Sequence, residues 1–459
     1  MLRFFAVLAC SAIIAGCSSG AGGGSISPQP LEQQQSATSA AVNAPFQYSV
    51  HPKVRRLGDF IFRNCPGTTV CALTPTTLRT SYSFTYVKGA SDGTGQTIVI
   101  VDAFGSPNIL QDLQKFSSFN SLPAPVTNAG LSCTGNKWNF CVVYPGGKPS
   151  VNVSNANQLG WAEETSLDVE WAHASAPGAR IALVVGNNDQ GSTIQSTIQY
   201  ATSQFAPAIL SLSFGTQELA INGGANNTQL TQSNTIYSNA ATMYHDTVIA
   251  SAGDLGSSAG FASPNPEYPA SNPNVVAVGG TNLSILHNGK WNGETVWNDG
   301  VGCTQPCGAT GGALSGLFPD RGNIPDVAYA ANDEAVAIWM SFVPGAPASG
   351  AWYAIGGTSV GPPAWAGIAA IANQERAALS PARNPLGENF RSDLLSVSGS
   401  FQTSKSPPFH AITSGDNIFY NTNPPLTCCS AAAGSADNPT GLGTPIIDSL
   451  INYLVNNVQ

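Results

Sequence analysis

Apolar residues along this chain come in short, dense runs separated by polar and glycine-rich stretches. The run Gln96-Thr97-Ile98-Val99-Ile100-Val101 is nearly all β-branched and apolar, as a strand buried on both faces should be. Comparable runs recur from Arg180 to Val185, Ala208 to Ser213, Thr247 to Ser251 and Asn274 to Val278, and a helical segment is predicted from Ile109 to Phe119. Strand followed by helix, repeated, predicts an α/β fold with a parallel sheet and helices on its faces. In such sheets chemistry gathers beyond the carboxyl ends of the strands.

The length of 459 residues suits one large domain plus an exported leader. Only 9% of residues are charged and the formal net charge is −9, so there is no basic patch to neutralise phosphates, and nucleic acid is excluded as a partner. Acidic substrates are disfavoured for the same reason. Glycine (48) and proline (32) are abundant, which fits many short elements joined by shaped loops.

Residues 1–17 read as a secretion signal: Met1-Leu2-Arg3 supplies the positive end, and the apolar run that follows is too short to span a bilayer permanently. It ends in Ile14-Ala15-Gly16-Cys17, which resembles the lipobox of bacterial lipoproteins and implies lipidation of Cys17 and a place in the cell envelope. Residues 18–45, rich in Gly, Ser, Ala and Gln, form a flexible tether, because they cannot bury enough surface to offset ordering. Residues 46–75 form a lead-in of no evident role, and 76–459 the main domain.

The cysteines after Cys17 are even in number, and in an oxidising compartment disulfides are the default. Cys65 with Cys71, Cys133 with Cys141 and Cys303 with Cys307 each close a short loop. A bridge between the adjacent Cys428 and Cys429 is harder, since it strains the backbone. Zinc is disfavoured, because no Cys-x-x-Cys pair recurs with histidines at ligand spacing.

The most specific motif is Gly356-Gly357-Thr358-Ser359-Val360-Gly361-Pro362-Pro363, followed by Ala366-Gly367 and an apolar helical run to Ala378. Glycines let the chain turn into a helix whose first amides are unpaired, and a serine there meets the helix's positive end. Ser359 is therefore the candidate nucleophile. The segment resembles the nucleophile region of subtilases and sedolisins, which share a fold with a parallel central sheet flanked by helices; Pro362 departs from the small residue usual there.

A serine hydroxyl needs a base, and no His-Gly-Thr-His-type segment supplies an imidazole. What the chain offers is Glu164 and Asp168, four apart on a predicted helix and sharing a face, in the segment Gly160-Trp161-Ala162-Glu163-Glu164-Thr165-Ser166-Leu167-Asp168 that runs on to Trp171-Ala172-His173. Two adjacent carboxylates tend to hold a proton between them, so one accepts the serine proton while the other orients it. This combination resembles the sedolisins, the serine-carboxyl peptidases, with further similar stretches from Thr76 to Pro445. The resemblance implies Glu164 as general base and Asp168 as its partner. It also implies Asp254, in Ser251-Ala252-Gly253-Asp254, as a protonated donor to the oxyanion.

Glu163 lacks a carboxylate four positions on, Glu170 points away from the Glu164 face, and His173 reads as a buried, hydrogen-bonded residue. Asp102 occupies the strand end where subtilisins keep their triad aspartate, and without a histidine to orient it is set aside as a decoy.

Two departures from the family pattern stand out. The calcium site near the family's C-terminus reads His410-Ala411-Ile412-Thr413 here, so one carboxylate is replaced by Ala411 and only Ile412 and Asp437 remain as weak candidates; absent or feeble calcium binding is expected, with Cys428 and Cys429 bracing the loop instead. Between Cys17 and Thr76 there is too little sequence for a large folded prosegment, so either folding proceeds without one or activity is held in check in another way. The expected function is acid-active peptide hydrolysis by a monomer that requires no cofactor, with peptides as substrates and a membrane reached through Cys17. A histidine-dependent subtilisin-like peptidase and a non-catalytic surface protein on the same fold are the alternatives.

Overall fold

The computed structural model describes residues 45–57, 72–85, 91–135, 137–300, 303, 307–332, 335–397, 399–431 and 439–458. Cys17, the signal segment, nearly all of the tether, Cys65, Cys71 and Asp437 lie outside the described residues.

The described chain opens with β1 (Lys53–Arg56) and α1 (Pro75–Ser81), then β2 (Thr97–Ala103), α2 (Ile109–Phe119), β3 (Phe140–Val143), α3 (Ala156–Ser175) and β4 (Arg180–Gly186). It continues through α4 (Gly191–Phe205), β5 (Ile209–Leu212), β6 (Thr216–Gln217), α5 (Thr228–Thr242), β7 (Thr247–Ser251), β8 (Glu267–Tyr268) and β9 (Val276–Ile285). The remaining elements that bear on the site are β10 (Trp291–Val296), β11 (Val327–Ala330), β12 (Val336–Met340), β13 (Ala351–Gly356) and α6 (Gly361–Ala378). The predicted strands and the helix from Ile109 to Phe119 are all present; the run from Asn274 extends to Ile285, because its distal half pairs with β10.

The main sheet runs β3-β4-β2-β5-β7-β9, all parallel, with β11 parallel to β9 and β10 antiparallel to it. Period-two alternation sends Ile98 and Ile100 into a core shared with Trp171 and Trp365, and Val99 and Val101 into the opposite core with Ile194 and Tyr237. All four β2 side chains are fully buried, each contributing about 1.5–3 kcal/mol. This is why the run is apolar at every position. The chain leaves β2 toward β3 and β4 and returns on the other side to β5, so the carboxyl ends of β2 and β5 flank a topological switch point.

A second, antiparallel sheet of order β1-β13-β12 lies beside the first. Cys133 is bridged to Cys141 and Cys303 to Cys307, as spacing predicted. Cys428 and Cys429, whose adjacency argued against a bridge, are joined to each other across a cis peptide. Among the described residues, no helix is long and apolar enough to cross a membrane.

Candidate active site

The site is built where β13 runs into α6. Gly357 sits at φ 122°, and a Cβ there would collide with Asp254 Oδ2, so the turn requires glycine. Residues Thr358–Val360 form a single 3₁₀ turn and α6 begins at Gly361 with prolines in its first turn, where a missing N–H costs nothing. Ser359 is thereby held at the start of a buried helix, 6% exposed.

Glu164 and Asp168 lie one turn apart on α3, which is buried along its second half, and both are fully buried. Ser213, just past the end of β5, donates from Oγ to Asp168 Oδ1 at 2.7 Å and lies 3.4 Å from the Ser359 carbonyl oxygen. The Ser359 hydroxyl is close enough to Glu164 to favour its ionised form, but it stops short of a hydrogen bond, since both Glu164 oxygens lack a partner. Such contacts are often long before substrate binds.

Asp102, set aside on sequence grounds, belongs to this cluster. It lies near the end of β2 with both oxygens buried and unpaired, and its charge acts on Glu164 and Asp168 alike. A strand-end aspartate without a histidine to orient looks idle in the sequence, but the switch point places it beside two carboxyls. Burial pushes Asp102 up to about 7, and burial first, then mutual repulsion, holds Asp168 well above the carboxylate range. Glu164 is raised the same way, the Ser359 hydroxyl opposing in part. Three buried carboxyls cannot all ionise together, so they hold protons in common.

Asp254 follows β7. Its Oδ1 accepts from the Thr358 backbone N–H at 2.7 Å and from Thr358 Oγ1 at 2.8 Å, while Thr358 Oγ1 itself accepts from the Gly253 N–H at 3.1 Å. The clamp commits Oδ1 and leaves Oδ2 turned toward Gly357 at the mouth of the nucleophile turn. Burial raises Asp254; the Lys53 charge and the Thr358 bonds pull the other way. Ser213 and Thr358 carry no acid or imidazole to mark them in the sequence, but both sit at the carboxyl end of a predicted strand or beside the nucleophile, which is the available signal.

The neighbours fall out as expected or are explained. Glu163 is half-buried, pushed up to about 8, and adds to the repulsion on Glu164. Glu170 turns away, accepting from the Trp339 N–H at 2.9 Å. His173 is buried with Nε2 2.9 Å from the Pro123 carbonyl oxygen. His51 meets Ser49, His245 meets Glu388, His410 stacks on Trp291 and His287 is exposed, so no histidine serves Ser359.

The residues at the expected calcium position fit a cation poorly. Ile412 is packed against Val296 and Ala431, and the nearby Asp416 already accepts through Oδ1 from Asn298 and the Ile418 N–H. Asp437 lies outside the described residues, among which no group of three acidic, histidine or cysteine side chains could hold a metal.

A parallel sheet feeding a serine at a helix start defines the subtilisin-like α/β class. The Subtilase family pattern matches residues 162–394, and the chain belongs to that family. It is 29% identical over 401 residues to kumamolisin from Bacillus sp. (strain MN-32), covering 84% of this chain and 64% of that protein. It is 27% identical over 408 residues to sedolisin from Pseudomonas sp. (strain 101), covering 83% and 61%. The chain thus spans a little over six tenths of the length of these relatives. The solved Pseudomonas sedolisin, a serine-carboxyl proteinase complexed with pseudo-iodotyrostatin, superposes with a TM-score of 0.63 at 25% identity, covering 85% of this chain and all of that one.

Proposed function

We propose that this chain is a serine-carboxyl peptidase that hydrolyses peptide bonds in acid. One observation carries the reading: Ser359 lies beside a buried pair of carboxyls, Glu164 and Asp168, in a site that no imidazole reaches. Ser359 Oγ attacks the substrate carbonyl carbon as Glu164 takes its proton, and Asp168, fixed by Ser213, orients Glu164. Asp254 donates from Oδ2 to the oxyanion. Glu164 then returns the proton to the leaving amine, and water, deprotonated by the same carboxylate, releases the acyl enzyme. Acid favours the donor half of the cycle, because Asp254 has to keep its proton, whereas the base half needs one carboxyl of the pair ionised and so sets the acid limb of the pH profile.

No metal ion takes part in this scheme. The chain is proposed to work as a monomer in the cell envelope, held by lipid at Cys17, with peptides as substrates. The test is labelling by a fluorophosphonate probe at acidic pH: wild-type protein acquires one label at Ser359, and Ser359→Ala acquires none. Labelling that persists in the alanine variant, or that falls when a histidine is replaced but not when Glu164 is, overturns the reading.

A further inference from the structure

Next to Asp254 lies a loop that the catalytic scheme does not use. Residues 415–431 fold back on themselves, with Asp416 bridged to Ser430 and the Ala431 N–H bonded to the Gly415 carbonyl oxygen. Within the loop Asn417 is fully buried. Its Nδ2 donates to the Thr310 and Gly312 carbonyl oxygens at 3.0 and 2.9 Å, and its Oδ1 accepts from the Cys429 N–H at 3.1 Å. Its own carbonyl oxygen accepts from the Ser257 N–H at 2.9 Å. These partners belong to the two stretches of chain that carry Asp254. The Ala309 N–H donates to the Asp254 carbonyl oxygen at 3.1 Å, the Gly311 N–H to that of Gly253 at 2.6 Å, and the Gly256 N–H to that of Ala309 at 3.0 Å. Gly256 sits at φ 67°, and a Cβ there would meet the Asn417 carbonyl oxygen at 2.6 Å, so this close approach requires glycine. The one peptide unit enclosed by the Cys428–Cys429 bridge contributes at both ends: its carbonyl oxygen accepts from Ser257 Oγ at 2.9 Å, and its N–H is the donor to Asn417.

We propose that Asn417 is a positioning residue for Asp254 and that the Cys428–Cys429 bridge is a redox lock on it, so that a dithiol reductant turns the enzyme down. This rests on the peptidase reading. A buried amide whose donors are both engaged holds its partners in one arrangement, and an oxyanion donor moved by about an ångström loses much of its effect. Cys428 is half-buried and Cys429 fully buried, so a reductant thiolate attacks the Cys428 sulfur. Cys429 leaves as a thiolate and takes up a proton; the second thiol of the reductant then displaces Cys428, the reductant ends as its own disulfide, and two cysteine thiols remain. The peptide unit is freed from its ring, and its hold on Ser257 and Asn417 loosens.

The experiment treats the full chain with dithiothreitol at neutral pH and assays an internally quenched peptide in acid, where the freed thiols stay protonated. Reduction is expected to lower kcat about tenfold to a hundredfold with KM unchanged, part of the full effect of the donor, and reoxidation to restore it. Cys428→Ser/Cys429→Ser should be equally slow without reductant and indifferent to it, although the bridges of Cys133 with Cys141 and Cys303 with Cys307 still open. Asn417→Ala should show the same loss in either state. Asp254→Ala should lose nothing more on reduction, because the group being positioned is gone. Full kcat in the reduced parent, in the double-serine variant or in Asn417→Ala overturns the proposal, as does an Asp254→Ala variant that reduction slows by the parent's factor. If the oxidised parent neither cleaves peptide nor takes a label at Ser359, the peptidase reading is what fails. Hydrogen exchange then decides on the loop: Ser257 and Ala309 amides that exchange faster after reduction support the lock, and unchanged rates overturn it.

Discussion

Replacing Asp254 separates its two jobs, because the structure assigns its oxygens differently. Oδ1 takes both Thr358 donors, at 2.7 and 2.8 Å, so the proton that serves an oxyanion belongs on Oδ2. Asp254→Asn keeps an acceptor at δ1 and puts an N–H donor at δ2 that never ionises. Asp254→Ala removes both, leaving the buried Thr358 N–H without an acceptor at about 1–3 kcal/mol of stability. Loss of one oxyanion donor costs about a hundredfold to a thousandfold in kcat, or about 2.7–4 kcal/mol. The alanine variant should therefore fall by that factor. The asparagine variant should stay within about tenfold of wild type in acid and lose the decline on the alkaline side that Asp254 ionisation imposes. The assay is kcat/KM on an internally quenched peptide across the acidic to mildly alkaline range, with Ser359 labelling to count folded sites. An asparagine variant as slow as alanine, or an alanine variant within tenfold of wild type, refutes the donor role.

Glu164→Gln removes the proton acceptor while keeping the shape, and acylation of Ser359 should drop about a thousandfold, within the usual span for a general base; a loss under tenfold points to another base. Stability should rise in acid. Burial pushes Asp102 and Asp246 up to about 7 and Glu163 and Glu267 up to about 8, so the stability they confer is complete below the ordinary carboxylate range and lost as pH climbs through 7 to 8. Burial lowers His51 and His410 to about 4, which opposes this as pH falls below the ordinary histidine value, but the acids outnumber them. Tm at pH 8 equal to or above that at about pH 5 contradicts the balance. Calcium at millimolar concentration should leave Tm unchanged, and a rise of several degrees by calorimetry would show that the substitution at Ala411 did not disable the site.

The parts legible in the sequence are those whose geometry is local. The apolar period of β2 reports burial on both faces, the glycines before Ser359 report a turn into a helix, and the four-residue interval from Glu164 to Asp168 reports a shared helix face, because each is fixed within a few residues of backbone. The same locality explains why Glu170 and His173 were placed correctly. The nearness of Asp102 to the pair was not legible, because its neighbours depend on β2 lying between β4 and β5, a fact of strand order that no short segment encodes. The clamp of Thr358 on Asp254 joins positions 104 apart, and the hold of Ser213 on Asp168 spans 45. Lead-in residues 46–56 were mute for a further reason: they pair through backbone groups, which every residue but proline carries, so the sequence leaves no mark of where such a strand docks. Residue chemistry and spacing nominated the nucleophile and its acids, whereas the path of the chain in three dimensions decided which other groups surround them.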